Sequence, residues 1–117
     1  MLRRLVGLVV LVMATCVVAT EGAATEVEDL RVWAGPKKTR AVLDLSATTE
    51  YRLFQLADPL RVVIDLSDAS LRGELTLPSD RDHGVLRRVR HGVRNGDDLR
   101  VVLDLSEPVR PQSFLLQ

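Results

Sequence analysis

The chain has 117 residues, with 16 basic and 16 acidic side chains and a formal net charge of zero. That length holds a single ordinary domain, and 46% hydrophobic residues exclude a disordered chain. The charge balance also argues against a nucleic-acid partner, since such binders carry a clear basic excess.

Residues 1–24 read as an export signal and not as fold. Met1-Leu2-Arg3-Arg4 is a short positive start, Leu5 to Val18 is a nearly unbroken apolar run, and small residues follow through Ala24. The run is shorter than the roughly 20 residues that a membrane span needs. Cleavage is expected after Gly22-Ala23-Ala24, with a site after Val18-Ala19-Thr20 as the second choice. Arg3-Arg4 fits ordinary start-region charge, and an adjacent arginine pair is also the mark of a twin-arginine signal. Met13-Ala14-Thr15 fits poorly as the approach to a lipid-modified Cys16, and an uncleaved anchor is a further reading. Loss of residues 1–24 removes Arg3, Arg4, Glu21 and Cys16, leaving 93 residues with a net charge of −1. Such a domain has no disulfide, so its own core must hold it.

The remainder is predicted to be all strands. The expected spans are 29–34, 39–46, 50–56, 61–67, 71–77, 85–93, 98–106 and 112–117. Three of them share one heptapeptide pattern: Arg40-Ala41-Val42-Leu43-Asp44-Leu45-Ser46, Arg61-Val62-Val63-Ile64-Asp65-Leu66-Ser67 and Arg100-Val101-Val102-Leu103-Asp104-Leu105-Ser106. Strict alternation with branched residues marks half-buried strands. Ala41, Leu43 and Leu45 and their counterparts are predicted to face the core, and the Arg, Asp and Ser positions to face outward. The first and third copies are 60 residues apart, an offset that also carries Phe54 onto Phe114. Two related halves follow. Gly35-Pro36 and Asp58-Pro59 are turn signals. Asn95-Gly96 is the strongest hairpin signal, because its turn needs positive φ at both residues. The expected architecture is a two-halved symmetric β-sandwich.

The inventory for catalysis is thin. His83 and His91 lie near turns and lack the spacing of a zinc site. There is no G-x-S-x-G elbow and no glycine-rich phosphate loop. Asp44, Asp65 and Asp104 read as members of a cross-strand Arg–Asp ladder rather than a catalytic cluster. Between Arg81 and Arg94 five arginines face a single acid, Asp82. Alternation sets Arg88 and Arg90 on one strand face, with Arg87 opposite. That face suits an anionic polymer, or else is a solvated edge that discourages further strand pairing.

The ordered set Leu30-Arg31-Val32-Trp33, Thr39-Arg40-Ala41-Val42-Leu43-Asp44-Leu45, Tyr51-Arg52-Leu53-Phe54-Gln55-Leu56 and Asp58-Pro59-Leu60-Arg61-Val62-Val63-Ile64-Asp65-Leu66 resembles the AMIN domain. The resemblance covers about residues 27–117. It implies a symmetric β-sandwich in the periplasm that binds peptidoglycan, often at the division septum. The host protein is then an N-acetylmuramoyl-L-alanine amidase, with zinc only in a separate catalytic domain, or alternatively a secretin of a pilus or secretion channel. Divisome or secretion components are the further partners implied. Arg31, Trp33, Arg40 and Arg61 lie in the family-like motifs and are the candidate ligand contacts, with Arg88 and Arg90 added on charge. Trp33 and Tyr51 are expected to be buried; exposed, either ring would offer a stacking platform. By the 60-residue offset, the counterpart of Arg61–Ser67 is expected just beyond residue 117.

Overall fold

The heptapeptide alternation folds as it reads, with branched residues extending the backbone and every second side chain turned to one face. The structure is a computed structural model that describes residues 6–11, 15–16, 24–79 and 81–116. The strands are β1 (Val6–Leu11), β2 (Thr15–Cys16), β3 (Thr25–Ala34), β4 (Thr39–Leu45), β5 (Tyr51–Leu56), β6 (Arg61–Leu66), β7 (Ala69–Leu71), β8 (Leu86–Arg94), β9 (Asp98–Leu105) and β10 (Gln112–Leu116). No helix occurs among the described residues. Arg3-Arg4, the expected cleavage site around Gly22-Ala23 and the loop residue Asp80 lie outside them.

The strands form two sheets. One runs β2-β10-β1-β4-β3-β7 and the other β5-β6-β9-β8. The 60-residue repeat is visible in this order: β3, β4 and β10 stand in the first sheet as β8, β9 and β5 stand in the second. Aliphatic side chains of both sheets merge into one core, including Leu30, Val32, Leu43 and Leu45 from one and Val62, Ile64, Leu66, Val101 and Leu103 from the other. Thr49, just before β5, extends the β5–β6 pairing, its hydroxyl donating to the carbonyl of Ser67 just after β6.

The Asn95-Gly96 turn is confirmed. Asn95 has φ 55° and Gly96 φ 81°, and Arg94 pairs with Asp98 across the loop. Two expected strand bounds need correction. The strand expected over 71–77 ends at Leu71. Gly73 then adopts φ 79°, a left-handed conformation that breaks the extended backbone, and Leu75 is buried from an irregular segment. The strand expected over 29–34 begins earlier, at Thr25, where the hydroxyl donates to the Ala47 carbonyl. Val6–Leu11, from the apolar run read as an export signal, is a central strand between β4 and β10. Sequence pattern alone gave no reason to place a strand there, because a uniform apolar run has no period.

Ile64 is fully buried at the centre of the core. Ile64→Ala should lower stability by about 2–5 kcal/mol, read as a fall in the urea midpoint. An unchanged midpoint would contradict this packing.

Candidate functional site

The outward positions of β5, β6, β9 and β8 form one face. Register sets Arg52, Asp65 and Arg100 in one row, Phe54, Val63, Val102 and Arg90 in the next, and Leu56, Arg61, Asp104 and Arg88 in the third. Six arginines, counting Arg94, thus share a face with Asp65, Asp104 and, at the rim, Asp98. A β-bulge in β8 brings Arg88 and Arg90 to the same carboxylate: Leu86 pairs with Leu105 and Arg88 with Asp104, so Arg87 is the additional residue and is exposed.

Two carboxylates organise these cations. Asp104 accepts from Arg88 Nε at 3.0 Å, and from Arg90 Nε and Nη2 at 2.8 Å each. Asp65 accepts from Arg100 Nε at 2.8 Å and Nη2 at 2.9 Å, and from Arg94 Nη1 at 2.5 Å. Both aspartates are only 6% exposed. The ladder read from the sequence is therefore present, but its carboxylates lie beneath the guanidiniums and not on an open surface. A buried carboxylate is tolerated when charged donors satisfy it. The fork from Arg90 holds the Asp104 carboxyl below its ordinary value, with Arg88 adding to the effect against the cost of burial. The fork from Arg100 does the same for Asp65, and Arg94 adds its charge. In return, the Arg90 and Arg100 guanidiniums are held above their ordinary values. Each carboxylate is matched by two guanidiniums, so each cluster keeps an excess positive charge. Arg88 uses only its Nε on Asp104 and is the most exposed of the four, at 65%.

The other outer face carries a related but smaller site. Arg31 forks onto Asp44 with two contacts of 2.8 Å, the counterpart of Arg90 on Asp104. Trp33 lies beside it and is 43% exposed. The guanidinium of Arg31 sits 5.4 Å and that of Arg40 5.7 Å from the centre of its ring. Phe54 is flanked in the same manner by Arg52 at 5.7 Å and Arg100 at 5.6 Å. Trp33 is not buried as expected, because its position in β3 has outward parity, opposite Arg40. Tyr51 is half-buried against the core, and its hydroxyl is 2.9 Å from Ser113 Oγ.

The six candidate residues thus fall into two groups on different sheets. Arg31, Trp33 and Arg40 come together. Arg88 and Arg90 come together on the other sheet, whereas Arg61 donates to the carbonyls of Ala57 and Pro59 and braces the turn before its strand. Sequence reasoning passed over Arg52, Phe54, Arg94 and Arg100. Parity held the signal for Arg52 and Phe54, two apart on one strand face; Arg94 reaches Asp65 only through the sheet. His83 hydrogen-bonds through Nδ1 to the Leu86 carbonyl at 2.8 Å, and His91 is exposed on β8. Among the described residues no three His, Cys, Asp or Glu side chains gather as a metal site. The chemistry on offer is recognition: guanidiniums for carboxylates, and an exposed indole for a flat apolar surface.

The lowered carboxyls make stability depend on acid. Both aspartates are ionised in the folded state below the ordinary carboxylate value of about 4, so their contribution is full above that value. It is lost as pH falls through the lowered folded values. Urea midpoints should be level from about pH 6 to 8 and should decline as pH drops below about 4. In Asp104→Asn the neutral-pH midpoint should fall by the equivalent of roughly 1–3 kcal/mol, and the acid decline should be shallower. A parallel acid decline in that variant would show that Asp104 does not carry the effect.

The AMIN domain family model matches residues 29–117. The chain is 30% identical over 97 residues to the N-acetylmuramoyl-L-alanine amidase AmiC of Escherichia coli O6:H1, covering 80% of this chain and 23% of that protein. It is 32% identical over 89 residues to the N-acetylmuramoyl-L-alanine amidase AmiC of Neisseria meningitidis serogroup B, covering 74% of this chain and 21% of that protein. The chain therefore spans less than a quarter of the length of either relative. No solved structure gives a significant match. With the two-halved sandwich and the repeated Arg–Asp forks, these matches establish that the chain belongs to the AMIN domain family.

Proposed function

We propose that this domain is the peptidoglycan-binding, targeting module of an exported cell-wall hydrolase, an N-acetylmuramoyl-L-alanine amidase that acts in the periplasm. The observation that carries this reading is the exposed Trp33 between the guanidiniums of Arg31 and Arg40. An indole face packs on the apolar face of a sugar ring, and guanidiniums beside it pair with the carboxylates of stem peptides. Arg88 and Arg90, with excess positive charge over Asp104, offer a second anionic contact on the opposite sheet. A sandwich with a binding face on each side would sit between neighbouring wall strands.

The mode of action is adhesion, with bond cleavage left to another part of the protein. On this reading zinc is a matter for a separate catalytic domain, as the AMIN resemblance implies. Both curated relatives bear the amidase name, which favours this setting over a secretin. The apolar run at 5–18 behind Arg3-Arg4 supports export.

Purified peptidoglycan sacculi should retain the full chain in a sedimentation assay. Trp33→Ala and Arg40→Gln should each weaken retention by roughly tenfold, about 1.4 kcal/mol, with far-UV circular dichroism unchanged. A folded wild-type chain that stays in the supernatant would refute binding. Undiminished retention of both variants would move the contact away from the Trp33 cluster.

A further inference from the structure

We propose that the free edge of β8 is a docking site for an extended acidic segment of another protein, which adds to the second sheet as a further strand. The segment alternates carboxylate and small aliphatic side chains. Its carboxylates lie beside Arg88, Arg90 and Arg94, and its aliphatic side chains beside His91 and Val93. Addition of a strand to an open sheet edge is a recurring mode of peptide recognition: backbone hydrogen bonds give affinity and alternate side chains give specificity. Docking at this edge does not depend on peptidoglycan binding.

β8 is the last strand of its sheet, in the order β5-β6-β9-β8. Arg88 to Arg94 pair with Asp98 to Asp104 of β9 on one side, and among the described residues no strand pairs with them on the other. In such an edge strand alternate residues turn their N–H and C=O groups away from the neighbour, which leaves a template for one more strand. The inward side of this strand is also bare. Val89, His91 and Val93 stand opposite Leu103, Val101 and Leu99, which are buried core residues. Their parity therefore points them between the sheets. Val93 is nevertheless 76% exposed, and His91 is exposed too. The repeat supplies the contrast. His91 faces Val101 as Val32 of β3 faces Ala41, the residue 60 positions before Val101. Val32 is covered, with 1% exposure. A groove of about 590 Å³ opens at the uncovered stretch, lined by His91, Gly92 and Val93 of β8 and by Ala69, Ser70 and Leu71 of β7. A side chain placed on Gly92 would meet no other heavy atom within 4 Å, so the outer face is open at this rung as well.

Charge decides what fits. Arg87, Arg88, Arg90 and Arg94 lie on this strand, and it carries no acid. Asp104 takes up Arg88 and Arg90, and Asp65 takes up Arg94 together with Arg100, so the guanidiniums outnumber the carboxylates beneath them. Arg87, the additional residue of the bulge, is exposed. Two copies of this chain joined edge to edge through β8 would set arginine against arginine, and like charges opposite one another are destabilising. A strand with carboxylates at alternate positions meets the same guanidiniums as charged cross-strand pairs. Its intervening aliphatic side chains cover Val93 and the apolar lining given by Leu71 and Leu99. Arginine on this edge thus rejects like strands and admits an acidic one. Because side chains of an added strand alternate between the two faces, what is read is the two-residue order of acid and aliphatic, not net charge alone.

A synthetic peptide of alternating glutamate and valine, as long as β8 and blocked at both ends, tests this on the full chain. Fluorescence anisotropy should show saturable binding that weakens as salt is raised. Binding should be at least about tenfold tighter than that of a lysine–valine peptide of the same pattern, and than that of a peptide with its glutamates and valines in separate blocks. Amides within residues 88–94 should gain protection from hydrogen exchange when the peptide is bound. Val93→Glu, at an exposed position, should weaken binding by about tenfold with far-UV circular dichroism unchanged. Should that variant fail to fold, Arg87→Glu on the exposed bulge serves in its place, with a loss of roughly fivefold. Absence of binding, or equal binding of either control peptide, would overturn the proposal. So would new protection on β5 and β6 in place of β8, or a chain that self-associates through β8 without peptide. No sacculi enter this measurement, so its failure and a failure of peptidoglycan binding are read separately.

Discussion

The two-residue period of the β pleat governs everything in this domain. In β6 it sends Val62, Ile64 and Leu66 into the core and Arg61, Val63 and Asp65 to the outer face. The same division holds in β4 and β9. A slip of one residue would exchange the faces, burying the arginines and exposing the aliphatic set, so register is strongly specified. The core and the recognition surface are therefore a single decision made once per strand. With few aromatic side chains available, packing rests on three copies of the same aliphatic alternation.

That division creates an electrostatic problem on the outer faces, because rows of arginine stand a strand spacing apart. Asp44, Asp65 and Asp104 resolve it. Each accepts a two-pronged guanidinium fork from a neighbouring strand. The planar guanidinium is what makes this possible; lysine would offer a point charge without the paired geometry. The forks hold the long arginine side chains in place, so their ordering cost is met by folding rather than at ligand contact. A positive surface that is already arranged is suited to carboxylates displayed at intervals on a polymer.

The repeat couples this chemistry to topology. Two halves related by 60 residues supply matching strands to the two sheets, and in the second sheet β6 sits between its hairpin partner β5 and β9 of the other half. Closure consequently depends on non-local pairing, which forms late and leaves edges open until it does. An apolar segment from the start of the chain can meet the hydrophobic demand of such a gap.

Most of the fold was legible because alternation and turn chemistry are local. Seven of the expected strands appear within a few residues of their expected bounds, and the Asn95-Gly96 hairpin follows from the conformational needs of two residues. The residue types of the site were legible too, since parity alone sends Arg31, Arg40, Arg88 and Arg90 outward. Which of them meet was not. Trp33 joins Arg31 and Arg40 through β3–β4 register, Arg94 reaches Asp65 through two intervening pairings, and Arg61 is diverted to the backbone of its own turn. The place of Val6–Leu11 was hidden for the same reason. A uniform apolar run declares that it seeks burial but not where, and only the packed sheets supply the address. Sequence by itself determined what each strand shows to water and what it hides, because that depends on neighbours one and two residues away. Tertiary structure decided which charges pair and which strand fills the gap, because those depend on residues brought together from opposite ends of the chain.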